Sequence, residues 1–323
     1  MTRDAVGSGI GIMIGLTLAA WAGCGPPAAR SAAGKLPVFV GIPPLAYLVE
    51  QIGGPHVRVG VLMQPGQDPH TFEPTPQQVL ALNKARLFFE VGMPFERILA
   101  QRIKEGNQRI SVVDAAQNIQ KRILVDGCAD KHLETPGRED VGRPGHPHPA
   151  GEPDPHVWLS PRLLKKLAEN VAAALERADP ADARAYAKEL AQLSDRLDTL
   201  DAEVGRRLAP YRGRRFYVFH PGFGYFAEAY GLHQVAIEED GRQPTPKQLQ
   251  SLIACARNDH VRVIFVQPQS PQQSAEVIAE AIGGKTVMID GLAKDVPRDI
   301  DDIADKLAAA FKNQRIESRS HVD

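Results

Sequence analysis

Gly66-Gln67-Asp68-Pro69-His70-Thr71-Phe72-Glu73-Pro74-Thr75-Pro76 links an apolar run to a helix start, and its reading sets the architecture. Before it, Val57-Arg58-Val59-Gly60-Val61-Leu62-Met63 has the composition of a buried strand. After it, Thr75-Pro76-Gln77-Gln78 is a capping box with proline at the first helical position, where its missing N–H costs nothing. His70 is therefore delivered in a loop between the C-terminal end of a strand and a helix. Pro69 biases Asp68 to extended backbone and fixes its own φ, which makes the arm stiff. The tripeptide returns at Asp154-Pro155-His156, again just before a proline-started helix, Ser160-Pro161. One copy alone reads as a surface turn; two copies suggest paired histidine arms.

Outward from this stretch the rhythm is strand–helix. Leu36-Pro37-Val38-Phe39-Val40-Gly41-Ile42, Arg86-Leu87-Phe88-Phe89-Glu90-Val91-Gly92 and Ile110-Ser111-Val112-Val113-Asp114 are further strands, with helices over 44–51, from Thr75, and between the last two strands. A βαβα order implies a parallel sheet covered on both faces. Residues 126–155 break the pattern with Pro, Gly, charges, His132, His146 and His148, and read as a mobile loop. A helix follows from Ser160 to about 177. After Asp179-Pro180, a longer helix over 180–208 carries Tyr186, Leu190, Leu193, Leu197, Leu200, Val204 and Leu208 at spacings of three and four. At about 1.5 Å per residue it reads as a strut joining two lobes.

The rhythm then resumes. Arg215-Phe216-Tyr217-Val218-Phe219 ends on His220, and Gln234-Val235-Ala236-Ile237, Val261-Arg262-Val263-Ile264-Phe265-Val266 and Lys285-Thr286-Val287-Met288-Ile289 follow, the last ending on Asp290. Thr245-Pro246-Lys247-Gln248 and Ser270-Pro271-Gln272-Gln273 repeat the capping-box pattern. The organisation expected is an N-terminal α/β lobe over 36–178, the connecting helix, a C-terminal α/β lobe over 209–315 and a frayed polar tail over 316–323.

The first 24 residues read as a signal peptide: Arg3, then an apolar run over 10–20 too short for a permanent membrane helix. Trp21-Ala22-Gly23-Cys24 resembles a lipoprotein cleavage site with Cys24 lipidated, although Trp21 departs from the usual leucine; cleavage after Ala22 is the alternative. Residues 25–35 are then a linker. Cys128 and Cys255 show no zinc-knuckle or catalytic spacing and read as two buried thiols.

With 38 Lys and Arg against 39 Asp and Glu, the net charge of −1 argues against a nucleic-acid partner. His70, His156, His220 and Asp290 all lie beyond strand ends or in loops entering helices, where open α/β sheets bind ligands. Two come from each lobe, so one ion fits between the lobes, and three imidazoles with one carboxylate suit Zn²⁺ better than Mn²⁺. A strand-end histidine is also a common structural residue, and His56, His233, His260 and His321 have only that reading. His146-Pro147-His148, with His132, makes a weak accessory collector.

Taken together and in order, Asp68-Pro69-His70-Thr71-Phe72-Glu73-Pro74-Thr75, Asp154-Pro155-His156-Val157-Trp158-Leu159-Ser160-Pro161, His220-Pro221-Gly222-Phe223-Gly224-Tyr225-Phe226 and Met288-Ile289-Asp290-Gly291-Leu292 resemble the periplasmic zinc-binding receptors of ABC transporters, the ZnuA/TroA-like family. The resemblance implies two lobes joined by one long helix with limited hinge closure, and metal held by the residues matching His70, His156, His220 and Asp290. It also implies a non-enzymatic, monomeric receptor in the periplasm or at the outer face of the cytoplasmic membrane. There it delivers metal to a membrane permease and touches the membrane only through a lipid anchor. His220, where manganese members typically use Glu, favours zinc as the transported ligand. Pro221-Gly222, Gln267 and Gly291 depart from the family's usual Asp-Ala, Glu and Pro. The alternatives are a Mn²⁺ receptor of the same type, a zinc hydrolase using Glu73 or Asp240 as base, and an adhesin. No HExxH-like helix supports the hydrolase, and neither repeats nor a long sticky patch support the adhesin.

Overall fold

The computed structural model describes residues 34–123, 153–238 and 243–320, with side chains through 314. Trp21, Cys24, Cys128, His132, His146, His148, Asp240 and His321 lie outside the described residues, and so do the expectations placed on them.

Two four-stranded parallel sheets form the frame. The first contains β1 (Leu36–Val40), β2 (Val57–Val61), β3 (Leu87–Glu90) and β4 (Ser111–Asp114), in the order β2-β1-β3-β4. The second contains β5 (Arg215–Val218), β6 (His233–Ala236), β7 (Val263–Val266) and β8 (Lys285–Met288), in the order β6-β5-β7-β8. Each sheet thus starts in its middle and reverses direction between its first and third strands, which opens a crevice at the carboxyl ends. Register is in phase, with Val38 opposite Val59 and Leu87, and Tyr217 opposite Val235 and Ile264.

The second sheet is buried on both faces, and its residues alternate between two cores as the two-residue strand period requires. Phe216, Val218, Val263 and Phe265 join the main core, while Tyr217, Phe219, Ile264 and Val266 join a smaller one under α7 (Pro246–Asn258) and α8 (Gln273–Ala281). The main core is continuous across both lobes. It includes Leu45, Leu48 and Ile52 of α1 (Pro43–Gly53), Leu164 and Leu167 of α4 (Pro161–Ala178), and Leu193, Leu197 and Leu208 of α5 (Ala183–Leu208). It also takes in Ile300, Ile303 and Leu307 of α9 (Val296–Ser320).

The fold is two parallel-sheet α/β lobes with a long helix between them. That helix differs from a bare strut. Residues Pro180–Asp182 form a 3₁₀ turn, Tyr186 Oη donates to Asp179 Oδ2 at 2.9 Å, and α5 begins at Ala183. Its 26 residues span ~39 Å and pack against α1, α4 and α9.

Both threonine capping boxes form, at α2 (Pro76–Leu82) and α7, with the hydroxyl and glutamine reciprocally bonded. The Ser270 box does not: Ser270 Oγ bonds Gln267 Oε1, and α8 starts three residues later. α9 continues to Ser320; no Gly or Pro interrupts it after Pro297, and Gln314 is buried and accepts from Arg214 at 2.5 Å. Asp154 and Pro155, read as the end of a mobile loop, are instead buried, with Asp154 N–H donating to the Arg122 carbonyl at 2.8 Å beside an Ile123–Pro153 bridge.

Candidate metal centre

Asp-Pro-His folds the same way twice. Asp68 Oδ1 accepts the His70 N–H at 2.9 Å, and Asp154 Oδ1 accepts the His156 N–H at 2.9 Å. In each turn the aspartate closes a hydrogen bond to the backbone two residues on, and the intervening proline has no N–H to compete. In the second copy Asp154 Oδ1 also accepts from the His156 ring, Nδ1 at 2.8 Å. A carboxylate on Nδ1 places that ring's proton away from the cleft and leaves Nε2 as the lone-pair donor.

His220 follows β5 in the second lobe. Its Nδ1 donates to Glu238 Oε1, so its Nε2 also faces inward. His70 Nε2 and His156 Nε2 each lie 3.2 Å from His220 Nε2. Among the described residues, one ligand atom from each of these three histidines falls within 4.8 Å of the others. Tetrahedral zinc with Zn–N near 2.05 Å separates its nitrogens by about 3.3 Å, so the observed spacing fits one shared ion. Three lone pairs at this distance repel one another unless a cation, or a proton, lies between them.

Burial first, and then the nearby His220, push the His156 ring below the ordinary imidazole range, and they outweigh the Asp154 bond that acts the other way. For His220 burial is also the largest influence and acts downward, but Glu238, with Asp68 and Asp154, outweighs it and holds the ring above that range. His156 is thus biased toward the neutral form that can donate a lone pair, and His220 toward the protonated form, with which a metal competes.

Asp290 stands after β8, half-buried, and is not in the converging group. Its Oδ1 accepts the Leu292 N–H at 3.0 Å and Gln269 Nε2 at 3.4 Å. Asp114, the last residue of the corresponding strand of the first lobe, accepts the Ala116 N–H in the same way at 2.8 Å. Asp290 thus serves as a turn cap here, but Gln269, Gly291 and Leu292 beside it line the cavity over the histidines. That cavity measures ≈ 90 Å³ and is also bounded by Leu159, Phe223 and Glu238. Gly222 sits against it: a Cβ there would lie 3.3 Å from His156 Cδ2 and 3.4 Å from His220 Cδ2.

Of the other histidines, His56 pairs with Asp182 at 2.7 Å, and His233 and His260 are exposed. Glu238 and Gln267 are the site residues that the sequence reading did not assign. Neither belongs to a motif; only the pairing of β6 beside β5 brings Glu238 next to His220.

Comparison with known proteins shows the family and the fold. The family model described as "Zinc-uptake complex component A periplasmic" matches residues 38–312. A putative metal-binding protein of Chlamydia muridarum is 30% identical over 260 residues, covering 80% of this chain and 86% of its own length. The high-affinity zinc uptake system protein ZnuA of Bacillus subtilis is 29% identical, covering 85% and 86% respectively. A crystal structure of ZnuA superposes with a TM-score of 0.74 at 34% identity, covering 85% of this chain and 99% of that one, and a ZnuA deletion mutant with zinc bound matches at the same score and identity. The periplasmic zinc-binding protein TroA of Treponema pallidum shares the fold, with a TM-score of 0.71. From its first strand to its last helix, this chain belongs to the ZnuA family of zinc-uptake components.

Proposed function

We propose that the chain captures Zn²⁺ outside the cytoplasm and delivers it to the permease of an ABC importer, as a monomer whose leader is cleaved either before a lipidated Cys24 or after Ala22. The observation that carries this reading is the convergence of three Nε2 atoms at 3.2 Å steps from two lobes. His70, His156 and His220 are the ligands on this reading. Asp290 supplies the fourth when its carboxylate turns toward the ion. An all-nitrogen trio favours Zn²⁺ over Mn²⁺, which prefers oxygen. Ligands shared between lobes also solve release, because a small separation weakens every metal bond together. The relatives named for zinc uptake support the cargo and the partner. A hydrolase fits less well: Glu73 is exposed and is not among the residues lining the cavity.

The test is metal content of protein purified without added metal, followed by zinc competition titration. One tight zinc per chain is expected. His70→Ala and His220→Ala should weaken it by more than the 10–100-fold typical of losing an outer-shell partner, and His233→Ala and His260→Ala should leave it unchanged. Equal losses in the two pairs would sink the assignment. Asp290→Asn, which keeps the turn cap but removes the anion, should also weaken zinc if the carboxylate is the fourth ligand.

A further inference from the structure

His220 is held at more points than packing requires. Its N–H donates to Gln267 Oε1 at 3.2 Å, and its carbonyl accepts from Gln267 Nε2 at 3.0 Å and from the Gly222 N–H at 2.8 Å. Only a neutral amide can serve both sides of one residue in this way; a carboxylate at position 267 has no donor for the carbonyl. With its backbone clamped, the imidazole retains only its two side-chain torsions, and the bond from Nδ1 to Glu238 Oε1 settles those. Glu238 is fixed in turn. Its N–H donates to the Phe219 carbonyl at 3.0 Å, one residue from the histidine it serves, and it is 8% exposed. It lines the same cavity as the three rings.

We infer that Glu238 is the positioning residue of the third zinc ligand, with Gln267 as its backbone anchor. By accepting the Nδ1 proton, Glu238 selects the tautomer whose Nε2 lone pair points at His70 and His156. Its negative charge beside the ring also strengthens that nitrogen's donation to a dication. Because Gln267 is uncharged, the carboxylate bonded to His220 among the described residues is that of Glu238, just beyond β6. The role is distinct from ligation: Glu238 spends its oxygen on the far side of the ring from the converging Nε2 atoms. This inference rests on the reading of His220 as a ligand, and the experiment separates the two.

Full-length protein carrying Glu238→Ala, Glu238→Gln or His220→Ala is titrated with zinc against a chromophoric chelator, and with Co²⁺ while its visible absorption is followed. Glu238→Ala should weaken zinc about 10–100-fold. Glu238→Gln should recover part of that loss, since an amide oxygen still accepts from Nδ1–H. Both variants should keep the strong absorption of a four-coordinate Co²⁺ ion, with shifted bands. Unchanged zinc affinity in Glu238→Ala, with the site lost in His220→Ala, would reduce Glu238 to a structural ion pair and leave the ligand set standing. Collapse of the four-coordinate absorption in Glu238→Gln would make Glu238 a ligand and overturn the positioning role. If His220→Ala also binds normally, the ligand set and this inference fall together.

Discussion

At the scale of single residues, the two lobes spend buried carboxylates in opposite ways. In the second lobe Glu238 faces an imidazole that balances it. In the first, Glu96 is fully buried at the start of α3 (Pro94–Gly106), with Oε2 accepting the Val91, Gly92 and Met93 N–H groups at 2.9, 3.1 and 2.9 Å. Its Oε1 has no hydrogen-bond partner and presses on Gly41, where a Cβ would sit 1.8 Å away. Burial pushes the Glu96 carboxyl up to about 8, against the three amide bonds that favour the anion. The folded-state value lies above the unfolded one, so the folded chain binds the extra proton between the two. Stability is therefore lost as pH rises through that window, by about 1.4 kcal/mol per pH unit at the steepest. Glu96→Gln keeps an oxygen for the amides and removes the charge, so the slope between about pH 5 and 8 should flatten in urea melts of the metal-free protein. An unchanged slope would show that the three amides hold Glu96 ionised throughout. Gly41→Ala should destabilise at every pH, because the added methyl collides with that oxygen.

At the scale of elements, local chemistry was legible where it is self-contained. Thr75 and Thr245 are read correctly as caps because the whole device lies within four residues. Ser270 carries the same signature and fails, because Gln267 lies three residues upstream and competes for its hydroxyl. The amphipathic pattern of 186–208 gave the long helix, but not its partners: which helices cover a stripe is decided by the rest of the chain. The three histidines could likewise be read from strand ends and helix-entering loops, whereas Glu238 and the use of Asp290 as a turn cap could not. Both depend on side chains meeting across strands or turns that carry no common motif. The segment 126–155 poses an element-scale question with a direct test. Its roots are pinned by the Ile123–Pro153 bridge and the Asp154–Arg122 bond, so the chain enters and leaves at one place. The four candidate ligands of the tight site, His70, His156, His220 and Asp290, all lie outside residues 130–150. Deleting that stretch should leave the tight zinc site at full affinity and remove at most weak additional binding. Calorimetry that shows the high-affinity site gone would make the segment part of the centre.

At the scale of the whole molecule, the lobes are joined by more than α5. Trp158, two residues after His156, donates its indole N–H to the Gly291 carbonyl at 2.6 Å beside Asp290, and Lys294 pairs with Glu50 of the first lobe at 2.8 Å. The loops that carry the candidate ligands are thus tied to one another and to a core that runs through both lobes, so an ion bound there should stabilise both lobes together. Zinc that binds only the folded state should stabilise it by about 4 kcal/mol when free metal is ~1,000 times its dissociation constant. The gain must depend on pH, since each imidazole has to be neutral to donate. His220, held above the ordinary range, takes up its proton before His156, held below it, as pH falls. The sign differs between them in the metal-free fold. The raised His220 contributes stability that is present below about pH 6.5 and lost as pH rises through its folded value. The depressed His156 contributes stability present above that value and lost as pH falls through its own. Zinc therefore meets the most favourable protein when both are neutral, and proton competition grows from one histidine to several on acidification. Thermal melting with and without zinc should show the largest metal-induced rise above neutral pH, shrinking progressively toward about pH 5, more steeply than one proton alone would give. A rise that stays constant over that range would exclude a site built on three histidines.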